Sequence, residues 1–156
     1  MDNMNFISKL IKSIYIARKI SNSWEGIAKG NVEVANREID KALRVYDNPL
    51  PYDLAFAGYV KYRAGCFNDA VDIYERALFS IDKSLKLNQD TKNYLRIYIR
   101  KPMAISLAMI QKRSEYFDRV YGGEMNINLK NVPDRIKTIH GIRGLEKDST
   151  INLIDC

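Results

Sequence analysis

A chain of 156 residues with 46% hydrophobic content and four prolines fits one domain that buries a core. Its net charge of +6 is evenly spread: residues 1–50 carry 8 basic and 6 acidic groups, 51–100 carry 8 and 6, and 101–156 carry 9 and 7. That is the pattern of a solvated surface, not of the concentrated arm or face of a dedicated polyanion binder.

No apolar run approaches the roughly 20 residues of a membrane span. Lys9, Lys12, Arg18 and Lys19 interrupt the first twenty residues, so no signal-peptide core is expected. The two cysteines, Cys66 and Cys156, have no partner at metal-ligand spacing and do not read as a disulfide framework. A reducing, cytoplasmic location is the expectation.

Taken in chain order, Ile7, Leu10, Ile11, Ile14 and Ala17 first form a helical stripe. This stripe, within Phe6 to Ala17, suits packing on its own repeat or on a second copy of the chain. The helical stretch ends at Lys29 before Gly30, and Val34, Ala35, Ile39, Ala42, Leu43 and Tyr46 give a second stripe. Pro49 and Pro51 lead into a helix over Asp53–Ala64, which Gly65 closes because glycine tolerates positive φ.

The clearest period follows. Phe67, Ala70, Val71, Tyr74, Ala77, Leu78, Ile81 and Leu85 step by three and four, while Asp69, Asp72, Glu75, Arg76 and Lys83 occupy the wet faces. This helix is expected to continue to about Leu87. Asp90 and Thr91 then read as a cap for a helix carrying Tyr94, Leu95, Tyr98, Ile99, Ile105, Leu107, Ala108 and Ile110, with a kink at Pro102. Gly122 and Gly123 end the helical region. Beyond them Asn126–Val132 alternates, Pro133–His140 suits one short helix stopped by Gly141, and Thr150–Ile154 looks extended.

Gly30, Ala35, Ala42 and Leu43 recur as Gly65, Ala70, Ala77 and Leu78 at one constant offset of 35 residues. With Leu54, Ala57, Gly58, Phe67 and Tyr74 in the second copy, this pattern resembles the tetratricopeptide repeat over residues 16–87. The closing proline of that family is absent, with Asp82 in its place. The first copy departs further: Ser23 stands for the small glycine, Gly26 for an aromatic and Ile39 for Tyr74, so a broken or irregular helix is expected around Ser21–Ser23.

The resemblance implies an all-α fold of stacked antiparallel helical hairpins, a right-handed α-solenoid with an irregular C-terminal tail. Residues 1–121 would form the repeat domain, with copies at 16–49 and 51–87 and a bent helix or hairpin at 90–121. Residues 122–156 would form the appendage. It also implies a concave binding face. The ligand-contacting positions of the family correspond to Tyr52, Ala55, Phe56, Tyr59, Tyr62 and Arg63 in the second copy and to Ala17, Ile20, Ser21, Trp24, Ile27 and Ala28 in the first. Trp24 suits groove or core. Ala55 and Tyr59 stand where a carboxylate clamp would need lysine and asparagine, so capture of a C-terminal carboxylate is not expected.

Aromatics with an arginine are the residue types that dominate interfaces. The function expected is therefore protein–protein interaction, as an adaptor, chaperone or specific inhibitor of immunity type. Tyr52, Phe56, Tyr59, Tyr62, Arg63 and Trp24 would contact a peptide or helix of the partner, with Tyr59 and Arg63 foremost.

The alternative is single-stranded nucleic-acid binding. Lys92, Arg96 and Arg100 repeat every four residues on one helix stripe beside Lys101, and Tyr94 and Tyr98 suit either base stacking or the core. The same stripe would equally suit an acidic partner or plain solvation.

Catalysis lacks parts. His140 is the only histidine, the carboxylates Asp69, Asp72 and Glu75 lie on a solvated helix face, and the run Gly141–Gly144 lacks the lysine of a phosphate loop. Neither enzyme activity, a metal nor a cofactor is expected.

Overall fold

The computed structural model describes residues 2–110 and 128–136. There is no strand among the described residues: the chain runs through α1 (Asp2–Ala28), α2 (Val32–Val45), α3 (Pro51–Ala64), α4 (Phe67–Lys83), α5 (Gln89–Met109) and a 3-10 turn at Leu129–Asn131. These fall into two compact units, Met1–Pro49 and Leu50–Cys156. The expected boundary at 121/122 lies outside the described residues, as do Gly122, Gly123, His140, Gly141–Gly144, Thr150–Ile154 and Cys156. No helix among the described residues is long and apolar enough to cross a membrane.

In the first unit α1 and α2 form an antiparallel hairpin. Gly30 takes φ +75°, its N–H donates to Ile27 O at 3.1 Å, and the next N–H, of Asn31, reaches back to Gly26 O at 2.7 Å. This pair of hydrogen bonds across a left-handed residue satisfies two carbonyls that a helix end would otherwise leave open. The Asn31 side chain then accepts from Val34 N and starts α2. Ile27, Val32, Ala35, Ile39 and Ala42 are buried between the two helices.

The second unit repeats the plan. Gly65 takes φ +79°, Gly65 N donates to Tyr62 O at 3.1 Å and Cys66 N to Lys61 O at 2.9 Å. Both backbone hydrogen bonds of this turn correspond to those of the first hairpin at an offset of 35 residues. Ala70 and Ala77 are fully enclosed, as are Ala35 and Ala42. α5 packs on α4 and on α3.

Between α3 and α4 the decisive contact is Gly58 against Tyr74: a Cβ at position 58 would lie 2.6 Å from the tyrosine ring, which is itself fully buried. In the first hairpin the matching pair is Ser23 and Ile39. The smaller isoleucine leaves room for the serine, whose hydroxyl donates to Ala35 O at 2.7 Å. This compensation is why α1 runs unbroken through Ser21–Ser23, contrary to expectation. Gly26 also serves the crossing, since a Cβ there would meet Ala35 N and Asn31 O at 3.0 Å.

Four further expectations are corrected. α4 stops at Lys83, because the Ser84 hydroxyl accepts from the N–H groups of Lys86 and Leu87 and competes with another helical turn. Leu85, placed in the α4 stripe, is therefore fully exposed. The cap of α5 is Asn88, accepting from Thr91 N at 2.8 Å, and not Asp90.

The Asp90 carboxylate instead takes Asn128 N and the Asn131 side-chain amide, while Asn131 O accepts from Asn88 Nδ2 and Thr91 Oγ1. This polar cluster docks residues 128–131 at the start of α5, with Val132 and Ile136 buried beyond it. Asn128–Val132 therefore includes a 3-10 turn where alternation pointed to an extended segment, and Asp134–Ile136 is helical as expected.

Gly58→Ala is expected to cost about 1–3 kcal/mol, the usual range for overpacking a closed core, read as a lower denaturant midpoint. Gly58→Ser combined with Tyr74→Ile copies the Ser23 and Ile39 pair and is expected to be more stable than Gly58→Ser alone, a coupling that a double-mutant cycle measures.

Candidate functional site

α3 begins at Pro51, where a missing N–H costs nothing, and ends on the Gly65 turn. Twelve of its fourteen residues are buried, so it is covered nearly all round and does not present one face to solvent. This changes the standing of the residues expected to contact a ligand. Phe56, Tyr59 and Arg63 are 2%, 5% and 6% exposed. Tyr59 and Arg63 face each other, with Arg63 Nη1 donating to the tyrosine hydroxyl at 3.1 Å. They form the backing of a surface, not the surface itself.

The accessible residues lie at the two ends of the helix. At its C-terminal end Tyr62 is half-buried, with its ring 6.1 Å from that of Tyr59 and 6.5 Å from that of Phe67, which is also half-buried at the start of α4. Tyr59, Tyr62 and Phe67 thus make one aromatic run across the Gly65 turn, anchored at its inner end by Arg63. Its tilted rings, at 35° and 57°, have the offset geometry that aromatic quadrupoles favour. Phe67 was read only as a core position; its part in this run comes from the turn, which brings residue 67 back beside residue 62.

At the N-terminal end Tyr52 is half-buried, and the Arg135 guanidinium stands 5.1 Å from its ring centroid. Burial first, then the neighbouring Asp53 carboxylate, raises the Tyr52 phenol above the ordinary tyrosine pKa, while Arg135 pulls it back. Asp53, Lys61 and Arg63 are all buried on this helix. Charges in such places are held only where they have polar company, and no periodicity in the sequence distinguishes them from surface charges.

The other candidates are distributed elsewhere. Trp24 is half-buried in α1, and its enclosed indole N–H meets no acceptor among the described residues. On α5, Lys92, Arg96 and Arg100 are half-buried and only Lys101 is exposed. Arg96 donates to Asp82 of α4 and to Asn93, so its charge is paired inside the unit. The acid comes from fourteen residues upstream, beyond the reach of any local charge count. The rings of Tyr94 and Tyr98 meet at a tilt of 55° with centroids 4.6 Å apart, and Tyr94 is buried.

His140 lies outside the described residues, and no group of three or more metal-ligating side chains occurs among those that are described. No family model matches the chain, and no match is found among curated proteins or among solved structures.

Tyr52 gives a direct check of this geometry. The folded chain holds the phenolic proton more tightly than the unfolded chain, so the stabilisation is full below the ordinary tyrosine pKa and is lost as pH rises through the higher folded value. The tyrosinate absorbance removed by Tyr52→Phe is expected to titrate above the ordinary value, and Arg135→Ala is expected to raise that midpoint further. A Tyr52 midpoint at or below the ordinary value would show that its burial is wrongly described.

Proposed function

We propose that this chain is a protein-binding module that holds a peptide or helix of a partner against the aromatic run at the α3–α4 turn. The observation that carries the reading is the run itself: Tyr62 and Phe67 remain accessible while Tyr59 and Arg63 fix them from behind. Rigid aromatics, backed so that they lose little conformational freedom, are the side chains that contribute most at interfaces. The tetratricopeptide likeness supports the same reading through the two Gly30 and Gly65 turns at their offset of 35 residues. Stacking of those hairpins into a solenoid belongs to this proposal.

In this reading the chain acts by occupancy, as an adaptor, chaperone or specific inhibitor. The nucleic-acid alternative draws less support, since Arg96 is engaged by Asp82. An acidic partner near Lys92 and Lys101 remains compatible with the aromatic site.

A photo-reactive amino acid placed at position 62 is expected to give one dominant protein adduct in cells of the source, resistant to nuclease and lost on Phe67→Ala. The same probe at Arg76, on the exposed face of α4, is expected to give none. Adducts of equal yield at both positions, or adducts removed by nuclease, would overturn the proposal.

A further inference from the structure

α1 has 27 residues and α2 only 14. Their cross-links run from Ser23 with Ala35, through Lys19 with Glu38 at 3.2 Å, to Lys12 with Asp47 at 2.7 Å. α2 therefore ends level with about Lys12, and the first turns of α1 extend beyond it. Those turns are not polar. Met4, Phe6, Ile7, Leu10, Ile11, Ile14 and Tyr15 are all between 40% and 78% exposed. Single apolar residues at a surface are ordinary, but seven large ones within twelve residues form a contiguous patch of the kind that marks an interface.

Met4, Ile7, Ile11 and Ile14 follow the spacing 3, 4, 3, which is the core seam of a coiled coil. Leu10 and Phe6 widen it on one side and Tyr15 on the other. The positions that flank such a seam are Asn3, Ser8, Leu10, Tyr15 and Ala17, and none carries a charge.

Lys9, Lys12 and Lys19 lie toward the opposite side of the helix, with Lys19 reaching over the Tyr15 ring, while the exposed Arg18 stands at the C-terminal end of the seam. Lys12 and Lys19 are paired with Asp47 and Glu38, and Lys9 lines a hollow of about 530 Å³ shared with Lys12 and residues 45–48. The apolar face thus points away from α2.

This layout discriminates among occupants. A helix that lies in an anionic lipid surface has cations bordering its apolar face, where their stems reach along it to the headgroups. Here the flanking residues are uncharged, Lys12 and Lys19 are already paired with carboxylates within the unit, and Arg18 alone stands at one end of the face. An acidic partner helix would likewise meet only Arg18, at one end of the seam. A second copy of the same face meets no like charge along the seam from Met4 to Ile14, and it covers large apolar side chains that are otherwise in water.

We infer that two copies of the chain pair through this face of α1, about a two-fold axis. The copies run antiparallel. Arg18 takes the next seam position after Ile14; in a parallel pair the two arginines would meet at the axis, whereas in an antiparallel pair each falls past Met4 of the other copy. The pairing is independent of the aromatic run on α3 and α4.

The test is the mass of the full chain by sedimentation equilibrium, as wild type and as Ile7→Glu, Ile11→Glu. Wild type is expected at twice the chain mass. The double variant is expected to weaken dimerisation by more than about tenfold, with any loss of helical circular dichroism confined to fraying of the first turns of α1, because neither side chain is buried within its own chain. Met4→Glu alone is expected to weaken it in the same direction, which covers any folding defect in the double variant. Tyr62→Ala is expected to leave the dimer intact. A wild-type monomer at high micromolar concentration, or a dimer indifferent to both variants, would overturn the inference. A monomer that floats with phosphatidylserine vesicles, and not with neutral ones, would assign the face to lipid instead.

Discussion

The ring of Tyr74 lies against the bare Cα of Gly58, and the separation of α3 from α4 follows from that contact. Two helices approach this closely only where one contributes no side chain, and the fully buried Ala70 and Ala77 continue the same close face along α4. The Gly65 turn is short because the helices are already near each other, so residues 62 and 67 emerge as neighbours on either side of it. The aromatic run is in this sense a by-product of helix packing: if the crossing opened, Phe67 would leave Tyr62.

The first hairpin solves the same problem with other residues. Ser23 and Ile39 divide the space differently from Gly58 and Tyr74, and the added hydroxyl is satisfied by the Ala35 carbonyl. Read one position at a time, Ser23 looked like a defect that would break the helix. Read as a pair across the interface, it is a volume-conserving exchange with its polar atom accounted for. The 35-residue offset was legible because glycine turns and enclosed alanines are local requirements of each hairpin. The exchange at 23 and 39 was not, because neither residue reveals its partner until the helices are laid together.

The same distinction between local and long-range causes explains the remaining differences. α4 ends at Ser84 through a side-chain turn that outcompetes the continuing apolar period. The Asn88 cap is local, but the Asp90 to Asn131 link depends on chain more than thirty residues away. Arg96 looked like one member of an unopposed basic stripe because its acid, Asp82, sits on another helix. Among the candidate site residues, Tyr59, Tyr62 and Arg63 come together because they share the last turns of one helix. Amino-acid type was a poor guide to which would stay open, since a helix buried nearly all round, as α3 is, carries Asp53, Lys61 and Arg63 inward and so has the composition of a surface.

Two kinds of surface result, and they differ in what holds them. The aromatic run is held from behind by Arg63 and Tyr59 and by the Gly65 turn, so its shape is set before anything binds. The α1 face has α2 on its other side only as far as about Lys12, and residues 45–48 leave an open hollow, lined by Asn5, Ser8 and Lys9, beside its first turns. A helix of a few turns without a partner is marginal in water, because each end leaves bonds unmade and no packing offsets the cost of ordering the chain. That imbalance is itself an argument for what covers the face. A second copy supplies packing along both apolar stripes at once, so that each protruding helix becomes the missing neighbour of the other.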